Sequence, residues 1–290
     1  MTSLITTPFT ATSTAAEILA GVDLTGRRYL VTGGTSGIGQ ATVTALTDAG
    51  ATIIAPARKD FDLTDLTAVR AFAESWDGPL HGIVANAGIM AVPERRLAPN
   101  GWELHLATNF LGHFALITGL HENLRAAGDA RVVILSSGIQ VKVPFDFEDP
   151  NFQFRAYDRW TAYGQSKTAD ALLTTALARR WAVDGITANS ADPGYVSTGL
   201  QKHLTEDDLR GFGMIDSSGN PLTPDYFSTP GQAAGNTVLL AASPLLDGVT
   251  GRYFIYNQEA PAVPGGPDRT SGVAEWSTDP ALAERLWALA

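Results

Sequence analysis

Tyr163 and Lys167 stand four residues apart in Ala162-Tyr-Gly-Gln-Ser-Lys167, at the head of an Ala- and Leu-rich stretch that predicts a helix to about Val183. Four-residue spacing brings both side chains out on one helix face. A phenol with a pKa of about 10 is a poor base at neutral pH. An ammonium beside it favours the phenolate and moves it toward working range. Such a pair can exchange a proton with an oxygen atom that gains or loses charge. Tyr-x-x-x-Lys also recurs by chance, and alone it reads as a surface pair. A second constellation precedes it: Thr32-Gly33-x-x-x-Gly37-x-Gly39, with Thr35, Ser36 and Ile38 between the glycines. Tyr29, Leu30 and Val31 before it read as a short buried strand, and a helical pattern begins at Ile38. A strand that turns through glycines into a helix aims backbone N–H groups and the positive helix end at one point, a place for an anion. Glycine permits positive φ there and lets a phosphate approach the backbone.

The elements that would carry these residues alternate between strands and helices, the pattern of an α/β sheet. Thr14-Ala-Ala-Glu17 has capping-box spacing and predicts a short helix over 15–20. Strands are expected at 51–55, 81–85, 131–137, 185–189 and 252–255. Helices are expected at 64–76, 102–124, 231–242 and, behind Asp279-Pro280, to Leu289. Arg58 follows the second strand and Asp62-Leu63 comes after only three intervening residues, too soon for a right-handed parallel crossover. One element is therefore short or missing after the second strand. The His residues 105, 113 and 121 recur every eight residues, which is not ligand spacing, and no metal site is expected.

Taken in order, Thr32-Gly33-x-x-x-Gly37-x-Gly39, Asn86-Ala87-Gly88, Asn109, Ser137, Tyr163-x-x-x-Lys167 and Pro193-Gly194 resemble the short-chain dehydrogenase/reductase family over Leu24 to Tyr256. The long, aromatic segment between Ser137 and Tyr163 resembles its retinol-dehydrogenase-like branch. The resemblance implies a single-domain Rossmann-type doubly wound parallel sheet of about seven strands. It also implies an NAD(P)-dependent oxidoreductase acting on an alcohol or carbonyl. Tyr163 would be the acid/base, Lys167 its electrostatic partner and a ribose ligand, and Ser137 a donor to the substrate oxygen. Asn109 would hold a water beside Lys167. Gly33, Thr35, Ser36, Gly37, Ile38, Gly39, Asp62, Leu63, Asn86, Ala87 and Gly88 would line the cofactor. Pro193, Gly194, Val196 and Thr198 would hold its nicotinamide end. Asp192 stands where the branch often has His. Arg58, with no acidic residue from Ala51 through Lys59, points to the 2′-phosphate of NADP(H) over NAD(H).

The chain of 290 residues has a formal charge of −10, a pI near 4.9 and no cysteine. Acidity disfavours nucleic acid and anionic lipid as partners. Thiolate chemistry and disulfides are excluded. No signal or membrane-spanning run is visible, so a cytoplasmic location is expected. Residues 1–26 read as an extension, 27–260 as the catalytic domain with a lid at about 199–229, and 261–290 as a tail and helix packed on the same domain. A homo-oligomer would use the 102–124 and 163–183 helices. Two other functions are weighed. An extended-branch nucleotide-sugar epimerase or dehydratase needs more chain after Thr229 than is present, and a non-catalytic dinucleotide-binding regulator typically loses the Tyr or Lys kept here.

Overall fold

The computed structural model describes residues 3–290. Helix α1 (Ala15–Ile18) is capped reciprocally by Thr14 and Glu17. The chain then alternates through β1 (Arg28–Val31), α2 (Gly37–Asp48), β2 (Thr52–Ile54), α3 (Leu66–Glu74) and β3 (Gly82–Ala85). A π-helical turn (Leu106–Leu111) leads into α4 (Gly112–Gly119) and α5 (His121–Ala127), followed by β4 (Arg131–Leu135), α6 (Arg159–Trp181) and β5 (Thr187–Asp192). After α7 (Glu206–Gly211) come α8 (Pro230–Ala242), β6 (Tyr253–Ile255) and β7 (Gln258–Glu259). A two-stranded ladder of β8 (Ala262–Val263) and β9 (Val273–Ala274) precedes α9 (Pro280–Leu289), which Asp279 caps.

Seven strands form one sheet in the order β2-β1-β3-β4-β5-β6-β7. All neighbours are parallel except β6 and β7. Side chains alternate across it, as the pleat demands. Leu30, Ile83, Val132 and Ile134 enter the core under α3, α4, α6 and α9. Tyr29, Val31, Val84 and Val133 enter the core under α1, α2 and α8. The missing element is a strand with its helix. From Ile54 the chain runs through turns at Ala57–Asp60 and Asp62–Asp65 directly into α3, so β2 is the sheet edge. The antiparallel β7 brings the total to seven. The strand expected at 185–189 begins at Thr187 and runs to Asp192, because Gly185 lies at φ 72° and closes the preceding turn.

One expectation needs correction. The single helix over 102–124 is a π-turn followed by two helices, broken at Leu120. The same helix and α6, expected to carry a homo-oligomer contact, are partly covered within the chain itself, while Glu122, Arg125 and Ala126 of α5 stay exposed. Nearly all of α6 from Ala162 to Ala178 is buried, and α9 covers its far end, where Trp287 packs edge-on against Trp181 and Phe114. Arg180 pairs with Glu284 across that seam. The chain's own C-terminal helix thus covers part of the surface named for an oligomer contact.

Candidate active site

The order of strands reverses between β1 and β3, and in open α/β sheets ligands lie beyond the carboxyl ends at that point. The glycine loop follows β1 and Asn86-Ala87-Gly88 follows β3. Gly33 and Gly37 adopt φ of 65° and 53°. A Cβ on Gly39 would stand 2.2 Å from the Gly33 carbonyl oxygen, so only glycine lets the helix pack on its own loop. Asn86 ties the two strand ends, donating through Nδ2 to the carbonyls of Thr32 (2.8 Å) and Gly33 (3.3 Å). Thr32 Oγ1 accepts from the N–H groups of Asn86 and Ala87, both at 3.0 Å, and meets His113 Nε2 at 2.9 Å. His113 in turn donates from Nδ1 to the Asn109 carbonyl (2.7 Å). Burial pushes this imidazole down to about 4, so it stays neutral and acts as a fixed strut.

Two adjoining cavities open over these ends, of about 450 and 310 Å³. Thr35, Arg58, Asp62 and Leu63 line the larger one; Ser36, Gly37, Ile38, Gly39 and Asn86 line the smaller. Gly33, Ala87 and Gly88 line both. Ser36 makes no side-chain cap bond, which leaves first-turn N–H groups of α2 unsatisfied where they face the cavity. Uncapped donors at a helix N-terminus, flanked by glycines, fit the diphosphate of a dinucleotide.

The smaller cavity also reaches Tyr163, Lys167, Pro193 and Thr198. Both titratable side chains are buried, at 6% exposure each. Burial raises the Tyr163 phenol above its ordinary value, against the pull of the Lys167 ammonium and the Ser137 hydroxyl. Lys167 Nζ donates to the Leu135 carbonyl at 2.8 Å and to Asp170 Oδ2 at 2.9 Å. Burial alone would lower Lys167, but Asp170 and Tyr163 hold it above its usual value. The structure also separates the two serines after β4. Ser136 gives its hydroxyl to the Lys167 carbonyl at 2.8 Å, whereas Ser137, partly exposed, is the one beside the phenol.

Asn109 lies on the π-turn, buried. Its Nδ2 donates to the Ile89 carbonyl (3.1 Å) and Ser166 Oγ (2.9 Å), and its Oδ1 accepts from Ile89 N–H (2.9 Å). Both donors are used, so only an oxygen lone pair remains for a water. Gly194 and Val196 do not line either cavity. Gly194 donates to Asp192 Oδ1 at 3.0 Å and lies against the Tyr256 ring, and Val196 is buried with its carbonyl held by Gln201 Nε2 at 2.8 Å. Burial pushes Asp192 up to about 6, and Tyr253 approaches it at 3.5 Å.

Sequence reasoning missed Arg96, Lys202 and His203, which line the larger cavity, with Lys202 lining both. It also missed Asp170, whose signal was a carboxylate three residues beyond Lys167 inside an apolar helix. Above the site, residues 199–229 contain no buried side chain. An aromatic chain nevertheless links that segment to the acid/base candidate: Tyr163, Trp160, Phe212, Tyr195, then Tyr226 and Phe227, with ring centroids 5.0–6.5 Å apart.

Residues 60–209 match the sequence model of the family described as short chain dehydrogenase. A Streptomyces antibioticus protein named "Probable oxidoreductase" is 53% identical, covering 92% of this chain and 97% of that relative. Retinol dehydrogenase 13 of Mus musculus is 31% identical over 90% of this chain and 82% of its own length. A solved protein of Beutenbergia cavernae with bound NADP is 28% identical with a TM-score of 0.62, covering 81% of this chain and 96% of that one. No helix among the described residues is long and apolar enough to cross a membrane. On fold, motif order and these similarities, the chain belongs to the short-chain dehydrogenase/reductase family, within its retinol-dehydrogenase-like branch, and is an NAD(P)-dependent oxidoreductase acting on an alcohol or carbonyl group.

Proposed function

We propose that Tyr163 is the acid/base of this oxidoreductase, that Lys167 and Ser137 support it, and that NADP(H) is preferred over NAD(H). The observation that carries this reading is the convergence of a buried phenol and a buried ammonium on the cavity that the glycine loop also lines. When bound, the nicotinamide supplies or takes the hydride at the substrate carbon. Tyr163 gives its proton to the carbonyl oxygen in reduction and takes it from the hydroxyl in oxidation. Ser137 hydrogen-bonds the same oxygen, where a fixed donor stabilises developing charge. Lys167 keeps its charge close to the phenol, with its Leu135 and Asp170 bonds leaving one N–H for a ribose hydroxyl. Asn109 fixes the Ile89 backbone and Ser166, which holds the cavity wall and the first turn of α6 in register. Pro193 and Thr198 form the wall around the nicotinamide end, with Gly194 and Val196 shaping the turn behind them.

Arg58 supports the cofactor preference. Its guanidinium lines the larger cavity and pairs with Asp62 at 2.8 Å, leaving its other edge for a 2′-phosphate. Arg96 and Lys202 line the same cavity and form no salt bridge among the described residues, so the field there is positive despite the acidic chain. The segment 199–229 serves as a substrate cover whose aromatic chain favours an apolar substrate. A cytoplasmic setting goes with this reading. Steady-state rates over a panel of apolar alcohols, aldehydes and ketones, with both cofactors, test it. Turnover that survives Tyr163→Phe at a near-normal rate would remove Tyr163 from the mechanism.

A further inference from the structure

Asp170 transfers no proton or hydride itself, yet it is 1% exposed and lies one helical turn from Lys167. Its Oδ2 accepts from Lys167 Nζ at 2.9 Å, and its Oδ1 has no hydrogen-bond partner among the described residues. Leaving one oxygen of a buried carboxylate unsatisfied costs stability. Burying the ion pair itself gains little over apolar packing. A helix rich in Ala and Leu could place Ala or Leu at 170 without that cost. The carboxylate is therefore poorly explained by stability and better explained by what it does to the ammonium.

Resting on the assignment of Tyr163 and Lys167 above, we infer that Asp170 is a positioning residue that sets the pH at which the Tyr163–Lys167 pair loses a proton. The charges around the pair come from every element packed on it. Tyr163 and Lys167 share α6 with Asp170. Leu135, at the end of β4, offers only a carbonyl dipole to Lys167, and the neutral Ser137 follows it. Asp192 at the end of β5, with Tyr253 of β6 against it, is the other carboxylate. From the α4 side come His113, which is neutral, and the Glu103–His105 pair, whose imidazole lies tilted with its centroid 6.2 Å from that of the Tyr163 ring. Asp170 is the anion in direct contact with the ammonium. Burial pushes it up to about 7 against the pull of Lys167, so its charge on the pair develops across the neutral range.

Two strongly interacting groups titrate as a unit. The negative charge that Asp170 carries once ionised favours the protonated forms of that unit, whichever site carries the proton. Removing the charge must lower the macroscopic pKa of the pair, and a neighbouring charge at this distance shifts such values by about one unit or more. Asp170→Asn keeps shape and removes charge. Alcohol oxidation, which needs the proton acceptor, would then reach half-maximum at lower pH, and carbonyl reduction would begin to fail at lower pH.

The test reads tyrosinate absorbance against pH without substrate, as the difference between each protein and its Tyr163→Phe counterpart. Asp170→Asn is expected to move the midpoint down by about one unit, and Asp170→Glu to return it toward wild type. Cofactor affinity at low pH, measured by calorimetry, is expected to change little. Coinciding midpoints for wild type and Asp170→Asn would overturn the inference, as would a uniform fall in kcat with an unmoved pH profile, the mark of a purely structural role. If Asp170→Asn does not accumulate folded, Asp170→Ser removes the same charge with less bulk and carries the same reading. Turnover retained by Tyr163→Phe would defeat the assignment of Tyr163 instead, and so distinguishes the two failures.

Discussion

Replacing Arg58 by Ala isolates the charge to which the proposed NADP(H) preference is assigned. In the structure its Nε and one terminal nitrogen both engage Asp62 Oδ2, at 2.9 and 2.8 Å. Asp62 is anchored in turn by Thr64, which donates from its backbone N–H and its hydroxyl, each at 2.9 Å. Asp62 thus orients the guanidinium but also neutralises part of its charge. A hydrogen bond to a charged group contributes about 1.5–3 kcal/mol. Arg58 is 73% exposed, so solvent screening puts its contact to a 2′-phosphate at the low end of that range. About 1.5 kcal/mol is roughly a tenfold preference. The assay is kcat/KM for NADPH and NADH with one carbonyl substrate at fixed ionic strength. Arg58→Ala is expected to reduce the NADPH:NADH ratio roughly tenfold while leaving the NADH value nearly unchanged. Asp62→Asn should raise the ratio, because it removes the carboxylate that lines the cavity and would repel the phosphate. Arg58→Ala/Lys202→Ala should lower it further if the second cation also reaches the phosphate. A wild type that prefers NADH, or an Arg58→Ala ratio equal to wild type, refutes the argument.

Lys167→Ala should lower kcat and weaken cofactor binding together, and titration calorimetry showing unchanged cofactor affinity would remove the ribose contact. Gly39→Ala should destabilise the protein and impair cofactor binding, since the new methyl meets a backbone oxygen at 2.2 Å and overpacking costs about 1–3 kcal/mol or more; thermal unfolding at wild-type temperature would contradict this. His113 is held near 4 in the fold against about 6.5 when unfolded, so the unfolded chain binds the extra proton between those values and stability falls as pH drops from 6.5 to 4. Wild type should lose about 3 kcal/mol more than His113→Gln across that window, the opposing upward shifts of Asp170 and Asp192 being common to both proteins. Parallel urea-melt stabilities of the two proteins over that range would show the imidazole is not buried neutral. Backbone amides of 199–229 should exchange quickly without cofactor and slowly with it, and strong protection in both states would mean a rigid wall.

What the sequence determined by itself was local. Tyr163 and Lys167 share a face because 3.6 residues make a turn, and Gly33, Gly37 and Gly39 turn a strand into a helix because they lack a Cβ. Thr14 with Glu17 and Asp279 with Pro280 mark helix starts through contacts within a few residues. Even the shortening after β2 was legible, since too few residues separate Arg58 from Asp62 to cross back to the sheet, though that a whole strand goes with the helix was not. The tertiary structure alone decided what depends on distant partners. It set Ser136 apart from Ser137 by giving the Ser136 hydroxyl to the Lys167 carbonyl, across 31 residues. It tied Asn109 to Ile89 and Ser166, and laid α9 over α6 and α4, covering part of the surface expected for a second copy. It left Asp170 buried with one oxygen satisfied, a position that helical spacing alone would equally have put in water. Burial is the common reason. The energy of a charge or a polar atom depends on what the folded chain brings around it, and that is set by sheet register and helix packing between segments far apart in sequence.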